Sequence, residues 1–256
     1  MTPRLAIIAG SGRLPDLLAE AEPTARIVRF ADARKGEIAA SFERLGGMFR
    51  RLSDDGITHC VMAGGMKRPK LDPTKFDEMS KVVLPDIAEA MAGGDDALLR
   101  KFIQLFEDQG IKVAGAHQVR PDLLVQPGIL TGSEPTPRML IDAALGTLVL
   151  ATLAPLDLTQ STVTSGNRVL AIETAFGTAD MLKSLAGRGQ GGVLSKRAKA
   201  NQDLRVDMPA IGPKTIEQAA KAQLSAIALE ARKVLIIDRD ETLKRATEAK
   251  ITIFAT

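Results

Sequence analysis

Short apolar runs that stop at glycines, alternating with helical stretches, constrain this chain more than any other feature. Leu5–Ala9 (LAIIA) closes on Gly10, and Thr58–Ala63 (THCVMA) closes on Gly64-Gly65. Between them, Arg13–Glu22 carries Leu14, Leu17, Leu18 and Ala21 at helical spacing, Ala25–Phe30 reads as a second strand, and Ile38–Asp55 as an amphipathic helix. Helices over Asp77–Met91 and Asp95–Gln109, then a strand over Ile111–Ala114, continue the alternation. Strands separated by helices pair in parallel through right-handed crossovers. The pattern predicts an α/β protein whose residues 1–132 form a Rossmann-like N-terminal domain.

Thr131–Pro137 (TGSEPTP) has no apolar anchor and reads as a linker. A second α/β domain is expected over 138–256. It opens with a helix over Arg138–Leu153, followed by a β-hairpin in which Ser161–Ser165 and Arg168–Glu173 flank Gly166-Asn167. Further strands are expected at Ser225–Leu229, Val234–Asp238 and Ile251–Phe254, with helices at Thr215–Ala222 and Glu241–Glu248. The apolar stretch Leu145–Pro155 covers about half a bilayer and predicts a buried helix. The N-terminal apolar run is too short for a signal-peptide core. The expectation is a soluble, cytoplasmic protein.

Composition excludes several chemistries. The 256 residues carry 34 Lys+Arg against 31 Asp+Glu, a net charge of +3 that is too small and too dispersed to argue for nucleic acid. With no Trp, no Tyr and eight Phe, platforms for stacking bases are scarce. One cysteine, Cys60, forbids an internal disulfide. Two histidines, His59 and His117, are too few for zinc hydrolase or two-metal phosphoesterase sites, so any metal should be a hard cation on carboxylates and phosphate oxygens, which points to Mg²⁺. His59 and Cys60, inside a predicted strand, read as core or near-core residues, and His117 as a satisfied structural residue rather than a catalyst.

The candidate chemistry lies in the loops. Gly10-Ser11-Gly12-Arg13-Leu14-Pro15 follows the first strand, where backbone N–H groups could meet phosphate oxygens; a tight turn alone explains it equally well. Pro15 stands where a dinucleotide fingerprint wants a third glycine, which counts against a nicotinamide-dependent oxidoreductase. Gly64-Gly65-Met66-Lys67-Arg68 should share the same sheet edge. Asp95 and Asp96 sit at a helix start, as first-turn acids or as Mg²⁺ or ribose ligands. In the second half, Lys196, Arg197 and Lys199 precede Asp203, Arg205 and Asp207, whose alternation would place them on one face of a strand. A basic run beside carboxylates suits metal-assisted diphosphate cleavage, or is simply a solvated edge.

These motifs together resemble the bacterial UDP-2,3-diacylglucosamine pyrophosphatases of the LpxI type. The resemblance rests on IAGSGRLP (8–15), AGGMKRP (63–69), GGDDALLR (93–100), GAH (115–117), LDLTQ (156–160), VLAIE (169–173) and QDLRVDMPAIG (202–212), in order over nearly the whole chain. It implies Mg²⁺-dependent hydrolysis of the diphosphate to UMP and 2,3-diacylglucosamine 1-phosphate in lipid A biosynthesis, by a homodimer in transient contact with the inner membrane. By the same resemblance Asp207 is the catalytic residue, acting as base or metal ligand; Asp207, Glu173 and Asp95 are the expected metal ligands, with Glu173 and Asp96 as supporting acids. Gly10, Ser11, Gly12, Leu14, Gly64, Gly65, Asp96, Gln160, Gly177, Thr178, Lys199 and Arg205 are expected to contact substrate, and the acyl chains to use the Leu145–Pro155 helix. Two stretches depart from the family pattern: Thr159 replaces a glycine, and Phe176-Gly177-Thr178-Ala179 replaces Glu-Gly-Thr-Asp, with Asp180 one residue late. The alternative is a relative that binds a UDP-sugar or lipid without turnover.

Overall fold

The computed structural model describes residues 4–30, 32–66, 71–92, 95–200 and 202–256, apart from the side chains of 91, 92, 95 and 96. The chain divides into two compact units: residues 1–121 with 203–207, and 122–202 with 208–256.

The first unit holds β1 (Leu5–Ala9), α1 (Leu14–Ala21), β2 (Arg26–Arg29), β3 (Ile38–Ala39), α2 (Leu45–Asp54), β4 (His59–Ala63), α3 (Glu78–Ala92), α4 (Asp95–Asp108), β5 (Lys112–Ala114) and α5 (Ala116–Val119). The strand order is β3-β2-β1-β4-β5, and all pairs are parallel. Order reverses at β1, so the crevice outside the carboxyl ends of β1 and β4 is the topological switch point, where open α/β sheets bind ligands. Alternation along β1 turns Ala6 and Ile8 into a core with Leu45, Phe49 and Leu52 of α2, Leu84 and Ile87 of α3, and Phe106 of α4.

The expected helix over Ile38–Asp55 is corrected at its start. Ile38–Ala39 pairs with Val28–Arg29 as an edge strand. Ser41 then caps a 3₁₀ turn by accepting from the Glu43 N–H at 3.1 Å, and the α-helix begins only at Leu45.

The second unit holds β6 (Gly128–Thr131), α6 (Pro137–Leu153), β7 (Ser161–Ser165), β8 (Arg168–Ile172), α7 (Thr178–Ser184), β9 (Val193–Lys196), β10 (Ala210–Ile211), α8 (Pro213–Lys221), β11 (Ala226–Leu229), β12 (Leu235–Ile236), α9 (Arg239–Glu248) and β13 (Thr252–Ala255). Its main sheet runs β6-β13-β11-β9-β7-β8: the central β13, β11 and β9 are parallel, and the flanking strands antiparallel. Ile227, Leu194 and Ile253 face α7, α8 and α9, while Val193, Ala226 and Phe254 face Ala143 and Met139 of α6. The β7–β8 hairpin turns through Gly166 and Asn167, both at φ 58°, the left-handed pair a two-residue hairpin favours. The buried Asp142 of α6 holds that turn, accepting from the Gly166 and Asn167 amides at 3.1 and 2.8 Å.

Two further expectations change here. Thr131–Pro137 lies inside the second unit, because Gly128–Thr131 already pairs with β13. The helix containing Leu145–Leu153 is buried on one face only: Ala143, Gly146 and Leu150 pack inward while Leu140, Ile141 and Leu148 are exposed. Gly146 allows the close approach, since a Cβ there would overlap the Ser195 hydroxyl. With its 3₁₀ extension to Leu156, this helix is long and apolar enough by length and composition to cross a membrane.

Candidate active site

In the first unit, the two glycine loops meet at the switch point and are laced to each other. Gly10 N–H donates to the Ala63 carbonyl at 2.8 Å, Ser11 N–H to the Gly65 carbonyl at 2.7 Å, and Gly65 N–H back to the Ser11 carbonyl at 3.0 Å. The Ser11 hydroxyl also donates to the Gly65 carbonyl at 3.0 Å. The amides of Gly10, Ser11 and Gly65 therefore serve the loop junction, which corrects the reading of the Gly10 and Ser11 amides as phosphate donors. Glycine is required by proximity: a Cβ at Gly10 would lie 2.5 Å from the Gly65 oxygen, and one at Gly64 (φ +86°) would overlap the Ser11 oxygen. Gly12 differs, with φ +96° and open space around it, just ahead of Leu14 at the start of α1.

The junction is braced from β2 by a residue that the sequence reading missed. Arg29 is buried, donates to the Gly10 carbonyl at 3.0 Å, and grips Glu37 through two bonds of 2.8 and 2.9 Å. Hydrogen bonds from Arg29 are the main reason the Glu37 carboxyl is held below its ordinary range. The sequence signal was an arginine set between Val28 and Phe30 in a short strand.

Residues 203–207 return the chain to this first unit as a turn, which corrects the expectation of a strand with three side chains on one face. The Asp203 carbonyl accepts from the Val206 and Asp207 amides at 3.1 and 3.0 Å. Asp203 takes the Arg205 guanidinium through bonds of 2.8 to 3.2 Å, and Arg205 also donates to Glu107 of α4 at 2.9 Å. That pairing holds the Asp203 carboxyl low and pushes Arg205 up. Gly115 lets the turn pack closely, since a Cβ there would stand 3.4 Å from the Arg205 Cα and 2.5 Å from the His117 ring. His117 Nδ1 is buried with no hydrogen-bond partner among the described residues, and burial lowers its pKa. Cys60 is fully buried, which pushes its thiol up to about 12 and makes it inert.

Val206 and Asp207 thereby line a cavity of about 480 Å³ within this unit. Its deep wall is buried (Ile8, Leu84, Ile87, Phe106), whereas Gly64, Gly65 and Met66 on its rim are exposed and Asp207 is half-exposed. Among the described residues that line it, Asp207 alone has a polar side chain. One carboxylate at the mouth of an apolar cavity is the arrangement of a ligand site with a single orienting group.

The second unit gathers the other candidates at the carboxyl ends of β8 and β9. Lys196, 3% exposed, donates to Thr178 Oγ1 at 2.7 Å and Ser161 Oγ at 3.0 Å, and Thr178 donates on to Glu173 Oε1 at 2.9 Å. Glu173 Oε2 and Gln160 Oε1 are buried with no hydrogen-bond partners among the described residues. Lys196 and Ser161 were not singled out from sequence, where Lys196 read as one member of a basic run. Lys199 is tied to Asp157, at 2.9 Å to its carbonyl and 3.1 Å to its carboxylate. Gly177 (φ +84°) caps α7, so Thr178 completes the cluster while Ala179 and Asp180 are exposed. Phe176 is 82% exposed.

Of the expected metal ligands, Asp207 belongs to the first unit and Glu173 to the second; the side chains of Asp95 and Asp96, like Lys67 and Arg68, lie outside the described residues. No group of three or more His, Cys, Asp or Glu that could hold a metal ion occurs among the described residues. Mg²⁺ commonly binds through one or two carboxylates plus substrate phosphates rather than in an all-protein cage. Asp207 fits that donor role.

Residues 4–123 match the LpxI N-terminal domain model and residues 126–254 the LpxI C-terminal domain model. The UDP-2,3-diacylglucosamine pyrophosphatase LpxI of Caulobacter vibrioides is 33% identical over 264 residues, covering 96% of this chain and 94% of that protein. A parallel Rossmann-like unit, a mixed second sheet and matches spanning both give one conclusion: the chain belongs to the LpxI family.

Proposed function

We propose that this protein hydrolyses the diphosphate of UDP-2,3-diacylglucosamine, releasing UMP and 2,3-diacylglucosamine 1-phosphate for lipid A biosynthesis. The name of its relative and the shared family support the substrate class. The carrying observation is Asp207, the one polar side chain among the described residues lining the apolar cavity at the switch point. In this reading the Asp207 carboxylate orients a water and accepts its proton as the new P–O bond forms and the bridging P–O bond breaks. Arg205 is a positioning residue: clamped by Asp203 and Glu107, it holds the turn that presents Asp207. Mg²⁺, bound with the diphosphate oxygens, would supply charge neutralisation. The substrate contacts expected of Gly12, Leu14, Gln160, Gly177, Thr178 and Lys199 belong to the same proposal. So do a homodimeric state, a cytoplasmic location and transient contact with the inner membrane.

The test is UMP release from UDP-2,3-diacylglucosamine with Mg²⁺ and with EDTA, by the native chain and by Asp207→Ala and Asp207→Asn. Magnesium-dependent UMP that falls at least 10³-fold in both variants is expected for a carboxylate acting on the reacting water. Folded native protein that binds this substrate and releases no UMP would refute the proposal.

A further inference from the structure

Resting on the proposed reaction, we infer that Arg29 is a positioning residue for the site at the switch point: it fixes the peptide unit between Gly10 and Ser11, and through it the Gly64-Gly65 rim of the cavity that Asp207 lines. Strand register sets Arg29 of β2 level with Ala9 of β1, and Ala9 level with Ala63 of β4, so the loops opening at Gly10 and Gly64 leave the sheet beside the arginine. Arg29 Nη1 donates to the Gly10 carbonyl at 3.0 Å. That carbonyl and the Ser11 amide belong to one planar peptide unit, whose amide end donates to the Gly65 carbonyl at 2.7 Å. The unit is therefore held at both ends. Gly10 must be glycine, since a Cβ would lie 2.5 Å from the Gly65 oxygen, and a glycine leaves the backbone beside that peptide free to rotate. Arg29 removes this freedom. Its own place is fixed in turn: its carbonyl accepts from the Ala40 amide at 2.9 Å, and Glu37 takes its Nε and Nη2 at 2.8 and 2.9 Å.

Stability alone does not account for a buried arginine at this place. A well-packed apolar pair of similar volume is commonly as stable as a buried ion pair. What an apolar pair lacks is a donor for the Gly10 carbonyl. Gly64 and Gly65 line the same cavity as Asp207. A rotated Gly10–Ser11 peptide would take the Ser11 amide away from Gly65 and let the rim shift against the carboxylate. A displacement of ~1 Å at a reacting centre can cost on the order of 10²-fold in rate. Arg29 thus acts through Gly10 on the geometry of the site, without itself meeting the reacting atoms.

The test separates stability from activity. UMP release from UDP-2,3-diacylglucosamine and thermal melting are measured for the full native chain, Arg29→Met, Arg29→Met/Glu37→Leu and Glu37→Gln, with kinetics taken below the lowest melting temperature. Arg29→Met strands the Glu37 carboxylate; the double variant removes that carboxylate and should melt above the single one. Glu37→Gln keeps an acceptor for Arg29 and with it the bond to Gly10. Activity should follow the Gly10 bond and not the melting temperature. We expect kcat to fall about tenfold or more in both Arg29 variants, KM to change less than kcat, and Glu37→Gln to stay within about twofold of native. An arginine that is merely structural gives the reverse, with kcat returning alongside the melting temperature in the double variant. That result, or an equal loss of kcat in Glu37→Gln, overturns the inference. Amide hydrogen exchange supplies a readout independent of turnover: the Ser11 N–H should exchange roughly tenfold faster or more in both Arg29 variants and at the native rate in Glu37→Gln. Unchanged exchange in Arg29→Met overturns the inference whatever the kinetics. If exchange follows the expected pattern while the native chain binds the substrate and releases no UMP, the peptide lock stands and the proposed reaction falls.

Discussion

Cutting the Arg29–Glu37 pair is the perturbation whose cost the structure defines best. Both side chains are nearly buried, 10% and 7% exposed, and the guanidinium also holds the Gly10 carbonyl. In Arg29→Met the packing volume is roughly kept while three charge-assisted bonds disappear. Among the described residues, Glu37 would retain the Arg34 amide at 2.7 Å. Removing one partner of a buried pair costs about 3–5 kcal/mol; the surviving amide and residual exposure place this case near 3 kcal/mol. Arg29→Met/Glu37→Leu leaves no orphaned charge, so the double variant should cost at least ~1.5 kcal/mol less than the sum of the singles. Urea unfolding of the four proteins, followed through the first-unit transition, measures both quantities. The sign of the pH effect follows from Glu37, whose folded pKa lies below its ordinary 4.5. Its stabilisation is present above that ordinary value and is lost as pH falls through the lower folded one, so native and Arg29→Met stabilities should converge in acid. A cost under 1 kcal/mol at neutral pH, or strict additivity, would refute the reasoning.

Three further outcomes are expected. Gly64→Ala, which strains a positive φ and overlaps the Ser11 carbonyl, should cost more than about 3 kcal/mol; Gly12→Ala, strained but open, should cost roughly 1–2 kcal/mol, and equal melting shifts would contradict the loop-junction account. Arg205→Ala should lower kcat for UMP release by about 10²-fold through misplacement of Asp207, while partly exposed bonds limit the stability loss to ~1 kcal/mol; a KM effect with unchanged kcat would remove its positioning role. Lys196→Met should destabilise the second unit by about 3 kcal/mol, because it removes a buried donor to Ser161 and Thr178 and, through Thr178, support for the buried Glu173 carboxylate. Adding Glu173→Gln should recover part of that loss in thermal melts.

Local chemistry was legible wherever neighbouring residues decide the outcome. Asn167 after Gly166 specifies a left-handed two-residue turn, and the hairpin sits where that pair predicts it. Leu5–Ala9 and Cys60–Ala63 are unbroken apolar runs that end at glycines, so their parallel place at the sheet centre, where both faces are covered, follows from composition. Ile38–Ala39 misled because two residues carry no period. Their strand state is set by pairing with Val28 and Arg29, a contact no local window contains.

Sequence by itself determined the α/β alternation, the glycine-terminated strands, the family and the identity of the acids. Tertiary structure alone decided what those residues face. The Gly10 and Ser11 amides serve Ala63 and Gly65 because two loops some fifty residues apart meet at one sheet edge. Asp203 and Arg205 neutralise each other and anchor on Glu107, while Asp207 reaches an apolar cavity, because residues 203–207 fold as a turn into the first unit. Lys196 is a buried ammonium and not part of a solvated basic run because β9 ends against Ser161 and Thr178. Charge and periodicity are written along the chain, whereas desolvation and partner choice depend on residues far away in sequence, which only the folded topology brings together.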